Sequence, residues 1–147
     1  MSDSVSLEGS LVMDVAVGAL VKGLGDGASE PRLLIAQRGE GGHLPGYWEL
    51  PGGKCETGEA VQACLHRELR EELGVQVQVV RALEAVEYAY EHRHVRLHAF
   101  VCALVAGEPE ARTATRLRWI TASEIDDHRF PPANRAVMEM LKRALEI

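Results

Sequence analysis

Apolar positions along this chain follow two rhythms. Residues 11–23 (LVMDVAVGALVKG) are apolar and β-branched almost without interruption, and residues 32–38 (RLLIAQR) repeat that character, so both predict strands. VQVQVV (75–80) alternates, which predicts a strand that can run on toward Tyr90. HVRLHAFVCALV (94–105) alternates as a returning strand, with EHRH (91–94) as the hairpin tip between them. Two short strands, WEL (48–50) and LRWI (117–120), complete the set. Helical periodicity is confined to two segments. The first runs from Gly58 to Leu73 and is stopped by Gly74; the second is PANRAVMEMLKRAL (132–145), with a proline near its start. TASEI (121–125) has room for one helical turn. GDGASEPR (25–32) reads as a turn, and RGEGGHLPGYW (38–48) and GEPEARTATR (107–116) as loops. Strands, one helix, further strands and a last helix predict an α/β or α+β fold with a mixed sheet between helices. No linker composition divides residues 1–147, so one domain is expected.

Charge narrows the partners. The chain has 16 Lys and Arg against 22 Asp and Glu, a net charge of −6. That argues against broad electrostatic binding to a nucleic acid polymer or an acidic membrane, and leaves room for a small phosphate ligand at a local basic site. No apolar run is long enough to span a bilayer, and MSDSVSLEGS lacks a signal-peptide pattern. Cys55, Cys64 and Cys102 have no CxxC spacing and cannot all pair. They read as reduced thiols, which places the protein in the cytoplasm.

The candidate chemistry sits at the end of the first helix. RELREELGV (67–75) places Glu68, Glu71 and Glu72 just before the terminating glycine. Negative charge there opposes the helix dipole, and Glu68 repels the other two at i,i+3 and i,i+4. At 100° per residue, Glu68 and Glu72 share a meridian with Val61 and Leu65, with Cys64 and Glu71 just to one side. One face is therefore apolar in its first turns and acidic in its last. A hard divalent cation would relieve both the repulsion and the cost of carrying carboxylates toward a core. The alternative is a solvated helix end in which Arg67 pairs with Glu71 at i,i+4.

The segment as a whole favours the cation. GKCETGEAVQACLHRELREELGV, from Gly53, fits G-x5-E-x7-R-E-U-x-E-E-x-G-U, where U is aliphatic. The matches are Gly53, Glu59, Arg67, Glu68, Leu69, Glu71, Glu72, Gly74 and Val75. Chance agreement is on the order of one in 10⁹ per starting position. The segment resembles the Nudix box at every defined position. The resemblance implies a Nudix-type α/β/α sandwich and hydrolysis of a nucleoside diphosphate linked to another group, assisted by Mg²⁺ or Mn²⁺. It implies that Glu68, Glu71 and Glu72 hold the metal or orient the attacking water, with the carbonyl near Gly53 as a further ligand. Glu59 and Arg67 would brace the loop against the helix. Lys54 is placed to meet a phosphate, or is a solvated loop lysine.

QRGEGGHLPGYWELPGGK and FPPANRAVMEMLKRAL, together with the YEHRHVRLHAF hairpin, resemble the MutT branch, which removes oxidised nucleotides from the precursor pool. That resemblance implies hydrolysis of 8-oxo-dGTP to 8-oxo-dGMP and pyrophosphate, with a role in DNA repair and replication. Relatives that hydrolyse CTP or modified dCTP share WELPGGK, and a nucleotide-binding module without turnover is a further alternative. Arg38, His43, Leu50 and Arg93 match positions that line the nucleotide pocket in MutT relatives. Asn134 matches the base-reading asparagine: its amide could accept from N7–H of 8-oxoguanine and donate to O6. Its alternative role is a cap or first-turn residue of the last helix. Trp48 and Trp119 are assigned to the core, and Tyr47 is left open. Two departures stand out. Where relatives often carry a glutamate before the last short strand, this chain has Thr113, with Glu108 and Glu110 as the nearby carboxylates. His92 occupies a hairpin position that is acidic in some relatives. A monomer is expected, with a dimer as the alternative.

Overall fold

The computed structural model describes residues 12–23 and 30–145. Its strands are β1 (Val12–Lys22), β2 (Arg32–Gln37), β3 (Trp48–Glu49), β4 (Gly52–Lys54), β5 (Gln76–Ala82), β6 (Val86–Tyr90), β7 (Arg93–Ala106) and β8 (Arg116–Thr121). Helix α1 spans Val61–Leu73 and α2 spans Pro132–Ala144, with a 3-10 turn at Ala122–Asp127. The sheet runs β3-β2-β1-β7-β5. β4 pairs with β1, β6 with β7 and β8 with β2. β1 and β7 are parallel over Val12–Leu20 against His94–Cys102, and the other pairings are antiparallel, so the sheet is mixed.

The unbroken apolar runs follow from a sheet covered on both faces. Alternate residues of the central strands go to opposite cores. Ala16, Leu20, Leu34, Phe100 and Cys102 pack with Cys64, Leu65, Leu69 and Leu73 of α1. Val17, Ala19, Val21, Leu33, Ile35, Leu97, Ala99 and Val101 pack with Ala133, Val137, Met138 and Leu141 of α2 and with Ile125. Each buried aliphatic side chain contributes about 1.5–3 kcal/mol. Packing on the α1 side sets how that helix is rotated, and hence where its glutamates go.

Several boundaries differ from the sequence expectation. α1 begins at Val61 rather than Gly58, because Gly58 is left-handed (φ 79°) and Ala60 is an extended N-cap. Its end is as expected: Gly74 is left-handed (φ 74°), with its N–H on the Arg70 carbonyl. The strand expected to run from Val75 toward Tyr90 is two strands, broken at residues 83–85. The register against β7 shifts between Val79 and Arg81, and Leu83 N–H bonds Ala99 instead. The PGG segment supplies a short strand, β4, that pairs with Val15–Val17. Trp48 is buried, and Trp119 is half-buried against the α1 core with the Lys22 ammonium 4.1 Å from its ring. The N-terminal decapeptide and most of the GDGASEPR turn lie outside the described residues. Among the described residues no helix is long and apolar enough to cross a membrane.

Candidate active site

The loop from β4 into α1 is held against the helix by one guanidinium. Arg67 donates Nε to Glu59 at 2.8 Å and Nη2 both to Glu59 at 2.9 Å and to the Lys54 carbonyl at 3.0 Å. Its Nη1 reaches Glu68 at 2.9 Å and Glu71 at 3.2 Å. Glu59 also accepts from Glu56 N–H at 2.9 Å. The Arg67 pairing holds the Glu59 carboxyl well below the usual range, at about 2. Glu68 moves the other way. It is only 8% exposed, and burial raises its pKa against the opposing pull of Arg67; Glu72 and Glu71 push it further up.

Gly52 and Gly53 allow this arrangement. Gly52 sits at φ 152°, and a Cβ there would strike the Ala16 carbonyl and the Val17 Cα at 2.6 Å. A Cβ at Gly53 would meet the Glu68 carboxylate, which lies directly over the loop backbone. The Gly53 carbonyl accepts a long contact from the Cys64 thiol at 3.6 Å.

Three carboxylates and a loop carbonyl are hard oxygen donors of the kind Mg²⁺ and Mn²⁺ prefer, and the buried, raised Glu68 is a group whose charged form a cation would stabilise. The donor set fits such an ion in type. As the side chains stand, no three His, Cys, Asp or Glu groups among the described residues enclose one. Arg67 holds Glu68 and Glu71, and the Thr113 hydroxyl donates to Glu72.

Two cavities meet beside this face. One, of about 230 Å³, is lined by Leu50, Gly53, Lys54, Tyr90, Ala133 and Asn134 among others; the second, of about 500 Å³, reaches Glu72, Thr113 and Ala114. Arg38, His43, Glu49, Gly52 and Arg93 line both. Glu68 and Glu71 line neither. Arg38 is not a free cation: it is paired to Glu49 at 2.7 Å and donates to the His43 carbonyl at 2.9 Å. His43 packs edge-on against Tyr90 at 5.7 Å, and the Tyr90 hydroxyl accepts from Ala133 N–H at 3.2 Å. Arg93, Lys54 and His92 are exposed. Tyr47 is half-buried, with the Arg129 guanidinium 5.3 Å from its ring.

Asn134 is in the first turn of α2, 6% exposed, and does not cap it. Its Oδ1 instead accepts from Leu50 N–H at 3.0 Å, across the cavity wall. Glu110 turns to Arg112 at 3.1 Å, and Glu108 is exposed.

Two polar side chains of the lining escape the sequence reading, Glu49 and Tyr90. The signal for Glu49 lies in WEL itself: in a strand whose first and third residues are buried, the middle one faces the other way. Burial raises the Glu49 carboxyl, with Arg38 opposing and Glu72 adding to the rise. Tyr90 carried no local signal, since its place depends on α2 docking beside β6.

Residues 27–140 match the NUDIX domain family. A Mycobacterium tuberculosis protein provisionally named 8-oxo-dGTP diphosphatase 2 is 39% identical over 132 residues, 89% of each chain. The 8-oxo-dGTP diphosphatase of Escherichia coli is 33% identical over 76% of this chain and 86% of its own. The CTP pyrophosphohydrolase of the same organism is 32% identical over 74% and 80%. Among solved structures, the E. coli ORF135 protein superposes with a TM-score of 0.75 at 27% identity, covering 93% of this chain and 94% of its own. With the family match spanning most of the chain and the mixed sheet packed between helices, this protein belongs to the Nudix family and is a Nudix hydrolase.

Proposed function

We propose that the protein hydrolyses a nucleoside triphosphate to the monophosphate and pyrophosphate with Mg²⁺ or Mn²⁺, and that 8-oxo-dGTP is its preferred substrate. One observation carries this reading. The cavity holding Asn134 and Leu50 shares Glu49 and Gly52 with the cavity that reaches Glu72. A base seated at Asn134 would therefore have its phosphates run toward the acidic end of α1.

Glu68, Glu71, Glu72 and the Gly53 carbonyl would hold the cation, which neutralises phosphate charge and acidifies bound water. Arg67 and Glu59 keep the loop on the helix so that the Gly53 carbonyl and Glu68 stay adjacent. Lys54 and Arg93, exposed at the cavity rim, meet phosphate charge. His43 and Tyr90 wall the base side, and Arg38 orders Glu49. In the reaction water adds to phosphorus, the anhydride P–O bond breaks, and pyrophosphate leaves. A carboxylate of the acidic set accepts the proton of the attacking water. The names of the M. tuberculosis and E. coli relatives support the oxidised-purine substrate.

A second reading is a CTP or modified-dCTP pyrophosphohydrolase. With Oδ1 already on Leu50 N–H, Asn134 presents chiefly its Nδ2 donor, and a donor alone also suits acceptor atoms of cytosine. A relative carries that activity in its name. Pyrophosphate release from 8-oxo-dGTP, dGTP, CTP and 5-substituted dCTP under Mg²⁺ tests the two, with Glu71→Gln and Glu72→Gln as controls. The expected result is the highest kcat/KM on 8-oxo-dGTP and a loss of at least ~10²-fold in kcat for each variant. Preference for a cytosine nucleotide moves the assignment to the second reading. Turnover untouched in both variants removes the metal-site assignment, and no release from any nucleotide leaves a binding module.

A further inference from the structure

The loop between β7 and β8, residues 107–115, has no regular structure, yet it is tied to the last turn of α1. Glu110 N–H donates to the Leu73 carbonyl at 3.0 Å and Arg112 N–H to the Glu72 carbonyl at 3.3 Å. The Arg112 guanidinium donates to the Arg70 carbonyl at 3.1 Å and is held by Glu110 at 3.1 Å. The Glu72 and Leu73 carbonyls have no partner within the helix and lie at the negative end of its dipole, while the Arg70 carbonyl also accepts from Gly74 N–H. The loop therefore acts as a cap. Its docked position sets the Thr113 hydroxyl on Glu72 Oε1.

We propose that Thr113 is a positioning residue that acts through Glu72, fixing that carboxylate for cation binding. The inference rests on the reading of the α1 glutamates as the cation site. Three points support it. Glu68 and Glu71 share the Arg67 guanidinium, whereas Thr113 is the one side chain among the described residues that hydrogen-bonds Glu72. A hydroxyl is a neutral donor. It orders a rotamer-rich carboxylate without cancelling its charge, so the attraction for a cation is kept. It also engages one oxygen only, and Oε2 keeps its lone pairs.

The test is Mn²⁺ binding to the nucleotide-free protein, read from the free-Mn²⁺ paramagnetic resonance signal, in wild type, Thr113→Val, Thr113→Ser and Glu72→Gln. Thr113 is exposed, so the near-isosteric valine preserves the fold; thermal unfolding verifies this. The expected result is about tenfold weaker Mn²⁺ binding in Thr113→Val, recovery to near wild type in Thr113→Ser, and a loss in Glu72→Gln at least as large. In turnover, Thr113→Val should raise the Mg²⁺ concentration for half-maximal rate and leave kcat at saturating Mg²⁺ little changed. Wild-type binding in Thr113→Val beside a loss in Glu72→Gln overturns the role of Thr113 and leaves the cation site standing. Equal weakening in the valine and serine variants shows that a retained hydroxyl does not preserve binding and also overturns it. Wild-type binding in Glu72→Gln removes the cation-site reading and this inference together.

Discussion

In the proposed reading, Asn134 joins two functions in one amide. Its Oδ1 satisfies the buried Leu50 N–H, and the second lone pair of that oxygen and the Nδ2 group remain for a base. Replacement by alanine should therefore act twice. An unpaired buried N–H costs ~1–3 kcal/mol of stability. Loss of the base contact should shrink the kcat/KM ratio of 8-oxo-dGTP over dGTP by roughly tenfold or more, because ordinary guanine offers no N7–H to lose. Thermal unfolding and that ratio, measured on the same Asn134→Ala preparation, check both parts. A lowered melting temperature with an unchanged ratio would restrict Asn134 to holding Leu50.

At the scale of elements, β4 contains two adjacent glycines with separate tasks. The Cβ of Gly52→Ala meets backbone atoms of β1, which cannot move aside, and adopts a φ that side chains avoid. The fold should lose more than ~1–3 kcal/mol, seen as a drop in melting temperature and in soluble yield. The Cβ of Gly53→Ala meets the end of the Glu68 side chain, which can swing away. That variant should fold with nearly wild-type stability and lose most of its kcat. Equal stability losses in both would show that the Glu68 carboxylate is wedged rather than mobile.

For the whole molecule, acid stability has a traceable source in the Glu59–Arg67 pair. The Glu59 pKa is depressed from 4.5 to about 2 in the folded state, so the unfolded chain binds its proton first as pH falls. The pair's contribution is complete above about 4.5 and is lost progressively as pH drops from there toward 2. Glu68, raised by burial, has the opposite sign and gains stability on protonation. In chelator-treated protein, the melting-temperature gap between wild type and Glu59→Gln should be full at pH 6 and narrow between pH 4.5 and 2. A gap that stays constant across that range would mean that Glu59 acts by packing and hydrogen bonding independent of its charge.

Local pattern alone determined much of this protein. Strand and helix order, the Gly74 stop and the spacing of Glu59, Arg67, Glu68, Glu71 and Glu72 are short-range properties, carried by periodicity, capping and an exacting motif. The α1 periodicity placed Glu68 on the inward face, and its burial follows. Other features needed the assembled chain. The break after β5 reflects a register shift against β7, which no single strand encodes. Glu49, Tyr90 and Asn134 meet only because β3, β6 and α2 dock around one cavity, and Asn134 and Leu50 are 84 residues apart in sequence. Arg67 gathering Glu59, Glu68 and Glu71, and Thr113 holding Glu72, depend on side-chain reach and on a loop docked at a helix end. Local propensity sets what each segment becomes, whereas the partners of a charged or polar side chain depend on which segments tertiary packing brings within ~3 Å of it.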